Sequence, residues 1–188
     1  MDALLLALLG CLACELGDRS QLLNLALATR FRHHGALLAG LAIAAAANAA
    51  FSAIAGGLLA TLISPDARLL FLGLALLFAG IAMLTPAKAP DTLSGWRTGP
   101  LLTSALGLFI LGFGETSQLL VAAIAARTAD PVTAGIGGAL GAIAAGAPVI
   151  LMRGRYFMLL PLRAIRRMGA MLFILVAAWL AMEALHPH

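Results

Sequence analysis

Cys14-Glu15-Leu16-Gly17-Asp18-Arg19-Ser20-Gln21 sits in the middle of a run that is otherwise almost wholly apolar from Ala3 to Ala28. Each ionised side chain at the centre of a membrane helix costs roughly 2.5–3.5 kcal/mol on insertion scales, so three of them need partners or a water-filled cavity. Glu15 and Asp18 are spaced i, i+3 and share a helix face. Gly17 between them permits close packing or local unwinding that frees backbone carbonyls.

The surroundings decide that this helix lies in lipid. Of 188 residues, 62% are apolar and 11% charged, against roughly 45–50% and 25% in an ordinary soluble domain. A span needs about 20 apolar residues, so the chain predicts an all-α integral membrane protein of six transmembrane helices, over roughly 3–28, 36–63, 69–87, 100–126, 132–152 and 168–185. No soluble domain is expected. The first run lacks the basic start and small-residue cleavage site of a signal peptide and is expected to be retained. Cys11 and Cys14 form a C-x-x-C without a thioredoxin-like strand around it, and buried packing thiols are expected.

The net charge of +4 and isoelectric point near 10.0 reflect topology rather than nucleic acid, because the basic residues fall between the apolar runs. Loops one, three and five hold nine Lys and Arg (Arg30, Arg32, Lys88, Arg97, Arg153, Arg155, Arg163, Arg166, Arg167), and loops two and four hold Arg68 and Arg127 alone. Lys and Arg stay on the cytoplasmic side, so both termini are expected outside the cytoplasm. The Arg-rich fifth loop also suits anionic lipid.

The chain repeats itself at an offset of 97 residues: Leu4, Leu5, Leu9, Gly10, Gly17, Ser20, Gln21, Leu22, Leu23, Ala26, Ala28 and Arg30 recur as Leu101, Leu102, Leu106, Gly107, Gly114, Ser117, Gln118, Leu119, Leu120, Ala123, Ala125 and Arg127. With three spans in each half, the halves enter from opposite sides. Residues 1–90 and 98–188 are therefore expected to be two inverted three-helix repeats of a single membrane domain, the architecture of alternating-access transporters with a site near the midplane.

The second half answers the first with Gly112-Phe113-Gly114-Glu115-Thr116-Ser117-Gln118, which puts Glu115 at the position equivalent to Asp18. Carboxylates, hydroxyls, side-chain amides and carbonyls are hard oxygen ligands, suited to calcium, magnesium or manganese. The competing reading is a structural ion pair of Glu15 or Asp18 with Arg19, which leaves Glu115 and the repeated Ser-Gln without a reason. Asn48 and Ser52 are read first as making single interhelical bonds and second as candidates for lining the transport path. His33 and His34, in a basic loop, and His186 and His188, at the C-terminus, read as solvated. No nucleotide loop, zinc-protease pattern or activated nucleophile is present, so an enzyme is not expected.

Glu15-Leu16-Gly17-Asp18-Arg19-Ser20 resembles the E-x-G-D-[KR]-[ST] signature of the second calcium/cation antiporter family, a group of small Golgi, chloroplast and bacterial proteins within the lysine exporter superfamily. The second motif departs from it, with Gly112 for the Glu, Glu115 for the Asp and Thr116 for the basic residue. The resemblance implies Glu15, Asp18 and Glu115 as metal carboxylates, supported by Ser20, Gln21, Ser117 and Gln118, with Arg19 as a charge partner. It implies export of Mn²⁺ or Ca²⁺ in exchange for protons through a bacterial inner membrane, with both termini periplasmic. The metal is the substrate and no resident cofactor is expected. The expected partners are the divalent cation, protons and the bilayer, not nucleic acid, and a homo-oligomer is compatible with the sequence. Three carboxylates and Arg19 sum to minus two, which suggests two protons returned per metal ion. The alternatives are an exporter of a small amino acid or organic cation, and a structural membrane protein that transports nothing.

Overall fold

Proline, glycine and short polar clusters punctuate the chain, and the apolar stretches between them are helical. The computed structural model describes residues 2–153, 155 and 159–185. Among the described residues there are eight longer helices and no strand. These are α1 (Asp2–Glu15), α2 (Arg19–Arg30), α3 (His34–Leu62), α4 (Pro65–Leu84), α5 (Pro100–Gly112), α6 (Thr116–Thr128), α7 (Pro131–Met152) and α8 (Leu162–Leu185). Local chemistry starts them. Ser64 accepts from the Ala67 N–H with Pro65 in the first turn, and Asp130 accepts from the Thr133 N–H with Pro131 in the first turn. Both are hydroxyl or carboxylate caps ahead of a proline that loses no helical bond there.

Helices α3, α4, α7 and α8 are each long and apolar enough to cross a membrane, and α5 and α6, bent by 69° at their break, together have the length and apolarity of a fifth span if the pair is one span. The protein is thus a multi-pass membrane protein. The first and fourth spans, expected as continuous helices over 3–28 and 100–126, are instead broken at 16–18 and 113–115. The cause is the same in both: Gly17 (φ +72°) and Gly114 (φ +81°) adopt the left-handed conformation that glycine alone takes without strain. With its break, the α1–α2 pair falls outside the set of spans recognisable by length and apolarity.

The helix expected as the third span begins at Pro65 rather than 69, and that expected as the sixth at Leu162 rather than 168. Arg163, Arg166 and Arg167 therefore belong to α8 and not to the fifth loop. The first turns of α8 stay helical with three arginines because Arg166, 9% exposed, finds carbonyl acceptors inside the protein. His34, placed in a loop by its sequence, opens α3 and meets the Arg153 guanidinium at 2.9 Å. Arg30, Arg68 and Arg127, expected in loops, likewise lie in helices, at the end of α2, the start of α4 and the end of α6, because their helices run on to the capping residues beyond the apolar stretch. Arg30 donates to the Leu93 and Trp96 carbonyls, and Arg68 to the Ile63 and Ala60 carbonyls at the end of α3. Such donors satisfy carbonyls that have no partner within the helix.

Without a hydrophobic drive between helices in lipid, close packing of small residues holds the bundle. Helix α1 lies on α7 and α5 lies on α3, while α3 packs on α7 and α4 on α8. At the α1–α7 crossing a Cβ on Gly137 would collide with the Leu4 carbonyl, and at the α3–α5 crossing a Cβ on Gly40 would be 2.7 Å from the Leu101 carbonyl. Gly137 follows Gly40, and Leu101 follows Leu4, by 97 residues. Helices α6, α7 and α8 likewise begin 97 residues after α2, α3 and α4. Large apolar side chains such as Leu5, Ile54, Leu74, Ile110, Leu140 and Leu175 cover the outside.

Candidate metal site at the broken helices

Each break is built the same way. Asp18 is the N-cap of α2 and Glu115 the N-cap of α6, both in extended conformation, and neither uses its carboxylate to cap the helix. Their backbone carbonyls take the first-turn N–H groups instead: Asp18 O from Gln21 and Leu22, Glu115 O from Gln118 and Leu119. The carboxylates are left at the positive ends of two helix dipoles, which favour negative charge.

The repeated glutamines fasten the breaks. Gln21 Oε1 accepts the Gly17 N–H at 2.9 Å, and Gln118 Oε1 accepts the Gly114 N–H at 2.9 Å. Their amide nitrogens anchor them to the neighbouring helices, Gln21 Nε2 donating to the Ala145 carbonyl (2.7 Å) and Gln118 Nε2 to Asn48 Oδ1 (2.8 Å). Ala145 follows Asn48 by 97 residues. Side-chain amides thus satisfy the backbone groups released where the helices unwind, a requirement in lipid.

Asp18 and Glu115 line one cavity of about 650 Å³, together with Arg19, Arg166, Thr116 and the chain from Thr85 to Lys88. Each carboxylate also faces an arginine: Arg19 Nε is 3.8 Å from Glu115, and an Arg166 guanidinium nitrogen is 3.8 Å from Asp18. The two arginines differ in freedom. The Arg19 side chain is 50% exposed and that of Arg166 10%. Arg166 also donates to the carbonyls of Ala82, Met83 and Thr85 at the end of α4 and to Leu16 in the first break.

Glu15, the last residue of α1, accepts a hydrogen bond from Ser20 Oγ and lines a smaller cavity of about 60 Å³ with Ser20, Ser117 and Gln118. The sequence-predicted residues are therefore brought to two compartments that share no lining residue. Asp18, Glu115 and Arg19 lie in the larger, and Glu15, Ser20, Ser117 and Gln118 in the smaller, while Gln21 is fully buried in the first break. Among the described residues, no three His, Cys, Asp or Glu side chains are gathered closely enough to hold a metal ion together.

Two features are not legible in the sequence. Gly112, in place of a second Glu15, leaves a space that the Asn48 side chain takes: a Cβ on Gly112 would be 2.6 Å from Asn48 Nδ2. Asn48 does more than make one interhelical bond. Arg166 is a loop charge by sequence because the third span is expected from 69; once the structure starts that helix at Pro65, the 97-residue offset carries the start of the last helix to Leu162 and Arg166 falls inside it. Cys11 and Cys14 are buried free thiols.

The family model for the divalent cation/proton antiporter GDT1 matches the chain twice, over residues 3–91 and 100–188. A protein of Vibrio cholerae serotype O1 named “Putative manganese exporter” is 31% identical over 178 residues, covering 94% of this chain and 89% of the relative. No solved structure matches significantly. The chain belongs to the GDT1 family of divalent cation/proton antiporters, and it is a transporter and not an enzyme.

Proposed function

We propose that this antiporter exports Mn²⁺, ahead of Ca²⁺, from the bacterial cytoplasm across the inner membrane, with Asp18 and Glu115 in the larger cavity and Glu15 in the smaller as the carboxylates that meet the metal in turn. The observation that carries the site is the pairing of Asp18 and Glu115, two N-cap carboxylates at matching breaks that line one cavity. The V. cholerae relative, named for manganese, favours that ion. Ser20 and Ser117 add hydroxyl oxygens, and Gln21 and Gln118 support the ion through the backbone they hold. Six spans in two inverted repeats are the matching architecture. It is supported by the double match of the family model, the 97-residue register of helix starts and the paired Gly40–Leu101 and Gly137–Leu4 crossings. With both termini periplasmic, loop three is cytoplasmic. The larger cavity, which reaches Thr85 to Lys88, then receives ions from the cytoplasm.

Charge sets the exchange. Arg166 is held by four carbonyls and stays, whereas half-exposed Arg19 is free to swing away when a cation arrives. Three carboxylates and one fixed arginine sum to minus two, which one divalent cation or two protons neutralise. Two protons per metal ion, an approximately electroneutral cycle, follow from Arg166 rather than from Arg19. Each uncompensated charge would be worth about 2.3 kcal/mol per 100 mV. The test is flux of a panel of divalent ions in proteoliposomes under an imposed pH gradient, with and without a clamped membrane potential. Mn²⁺ flux should follow the pH gradient and ignore the clamp. Flux indifferent to pH rejects proton exchange, and strong dependence on potential rejects the two-proton count.

A further inference from the structure

The smaller cavity contains a side chain that the metal reading above does not use. Asn24, on α2 one turn after Ser20, is 1% exposed and lines that cavity, and neither its Oδ1 nor its Nδ2 has a hydrogen-bond partner. A buried amide with both ends unpaired is expensive, and packing does not call for it. Its repeat equivalent is Val121, which lines the same cavity. An apolar side chain of similar size therefore suits that place in the fold, and an amide there answers to a ligand.

The position is central. Residues of α1, α2, α3, α5, α6 and α7 all contribute to the wall, and α4 and α8 do not. The space of about 60 Å³ compares with roughly 10–15 Å³ for one water by the same measure. It admits a cation with a few waters and not a fully hydrated one. A divalent ion entering it must replace most of its shell with protein oxygens, and hard cations take six or more. Glu15 supplies carboxylate oxygens, Ser20 and Ser117 supply hydroxyls, and Asn24 supplies the remaining uncommitted amide.

We propose that this chamber is a second, inner cation site in which Asn24 and Glu15 ligate a largely dehydrated divalent metal ion handed on from the Asp18–Glu115 vestibule. This rests on the transport reading above. Glu15 and Asp18 flank the break at Leu16–Gly17, and in this proposal the ion passes between their two cavities by exchanging one carboxylate for the other.

The test uses the full-length protein purified in detergent, with Mn²⁺ as the probe and free ion counted by its EPR signal. Asn24→Val copies the repeat equivalent. It should unfold at the wild-type temperature or above without metal, bind Mn²⁺ at least tenfold more weakly and lose the stabilisation that Mn²⁺ gives the wild type. Asn24→Asp should bind Mn²⁺ at least threefold more tightly and be less stable without it, because a lone carboxylate replaces a neutral amide. Should Asn24→Val not fold, Asn24→Asp with wild-type affinity overturns the proposal by itself. Asn24→Val with wild-type affinity, where Asp18→Asn has lost it, overturns the inner site and leaves the transport reading standing. A wild-type protein that binds neither Mn²⁺ nor Ca²⁺ overturns both.

Discussion

Arg166→Ala removes a buried cation that ties three elements together. Its guanidinium donates to the carbonyls of Met83 (3.2 Å), Ala82 (3.1 Å), Thr85 (3.3 Å) and Leu16 (3.1 Å), and faces Asp18 at 3.8 Å. Interhelical hydrogen bonds measured within membranes average about 0.6 kcal/mol each, so four give about 2.4 kcal/mol. Breaking a buried charge pair by deleting one partner costs about 3–5 kcal/mol where no water reaches it. Here Asp18 lines a cavity and its side chain is 22% exposed, so water relieves much of that second cost. The carbonyl bonds dominate, and a loss of about 3 kcal/mol in total is expected. Arg166→Lys keeps the charge but cannot span four carbonyls in fixed fork geometry, and should recover no more than about 1 kcal/mol of it. Reversible unfolding in mixed micelles of rising SDS content, followed by Trp96 and Trp179 fluorescence, measures these differences. In a double-mutant cycle with Asp18→Asn the coupling should be about 1 kcal/mol, the part due to the ion pair. Stability of Arg166→Ala within about 0.5 kcal/mol of wild type, the range of an ordinary surface change, would refute the clamp and with it the fixed charge in the proton count.

Asp18→Asn and Glu115→Gln should each reduce Mn²⁺ flux in proteoliposomes at least a hundredfold while the protein still inserts, and Glu183→Gln, near the end of α8, should leave it unchanged. Normal flux in both site variants would reject the paired site. A reporter active only in the cytoplasm should be silent when fused after His188 and active when inserted at Thr92, and the reverse pattern would invert every element. Asp130 caps α7 by accepting from the Thr133 N–H and hydroxyl, which hold its carboxyl below the ordinary aspartate range. Its contribution to stability is complete above the unfolded value and disappears as pH falls through the lower folded one. Thr133→Val should move the Asp130 titration back toward the ordinary range by NMR and weaken the acid dependence of unfolding.

Composition and pattern alone place the chain in lipid, locate its four long apolar helices to within several residues, and make Asp18 and Glu115 counterparts. Those conclusions need only composition, the depth cost of charge and a repeat legible at a fixed offset. The tertiary structure decided what the repeated polar residues do. Nothing in Gly-x-x-Ser-Gln says that the glutamine reaches back four residues to an unwound glycine, because that bond exists only once the glycine has left the helix. Nor does the local sequence around Arg166 say that the ends of α4 and of the first break converge on it, since those carbonyls lie some 80 and 150 residues away. Asn24 is the clearest case. In the sequence it is one polar residue in a half-polar helix, and only the packing of six helices around it leaves both ends of its amide without a partner. Local chemistry sets periodicity and breaks. Which buried polar groups find partners is settled only by distant parts of the chain.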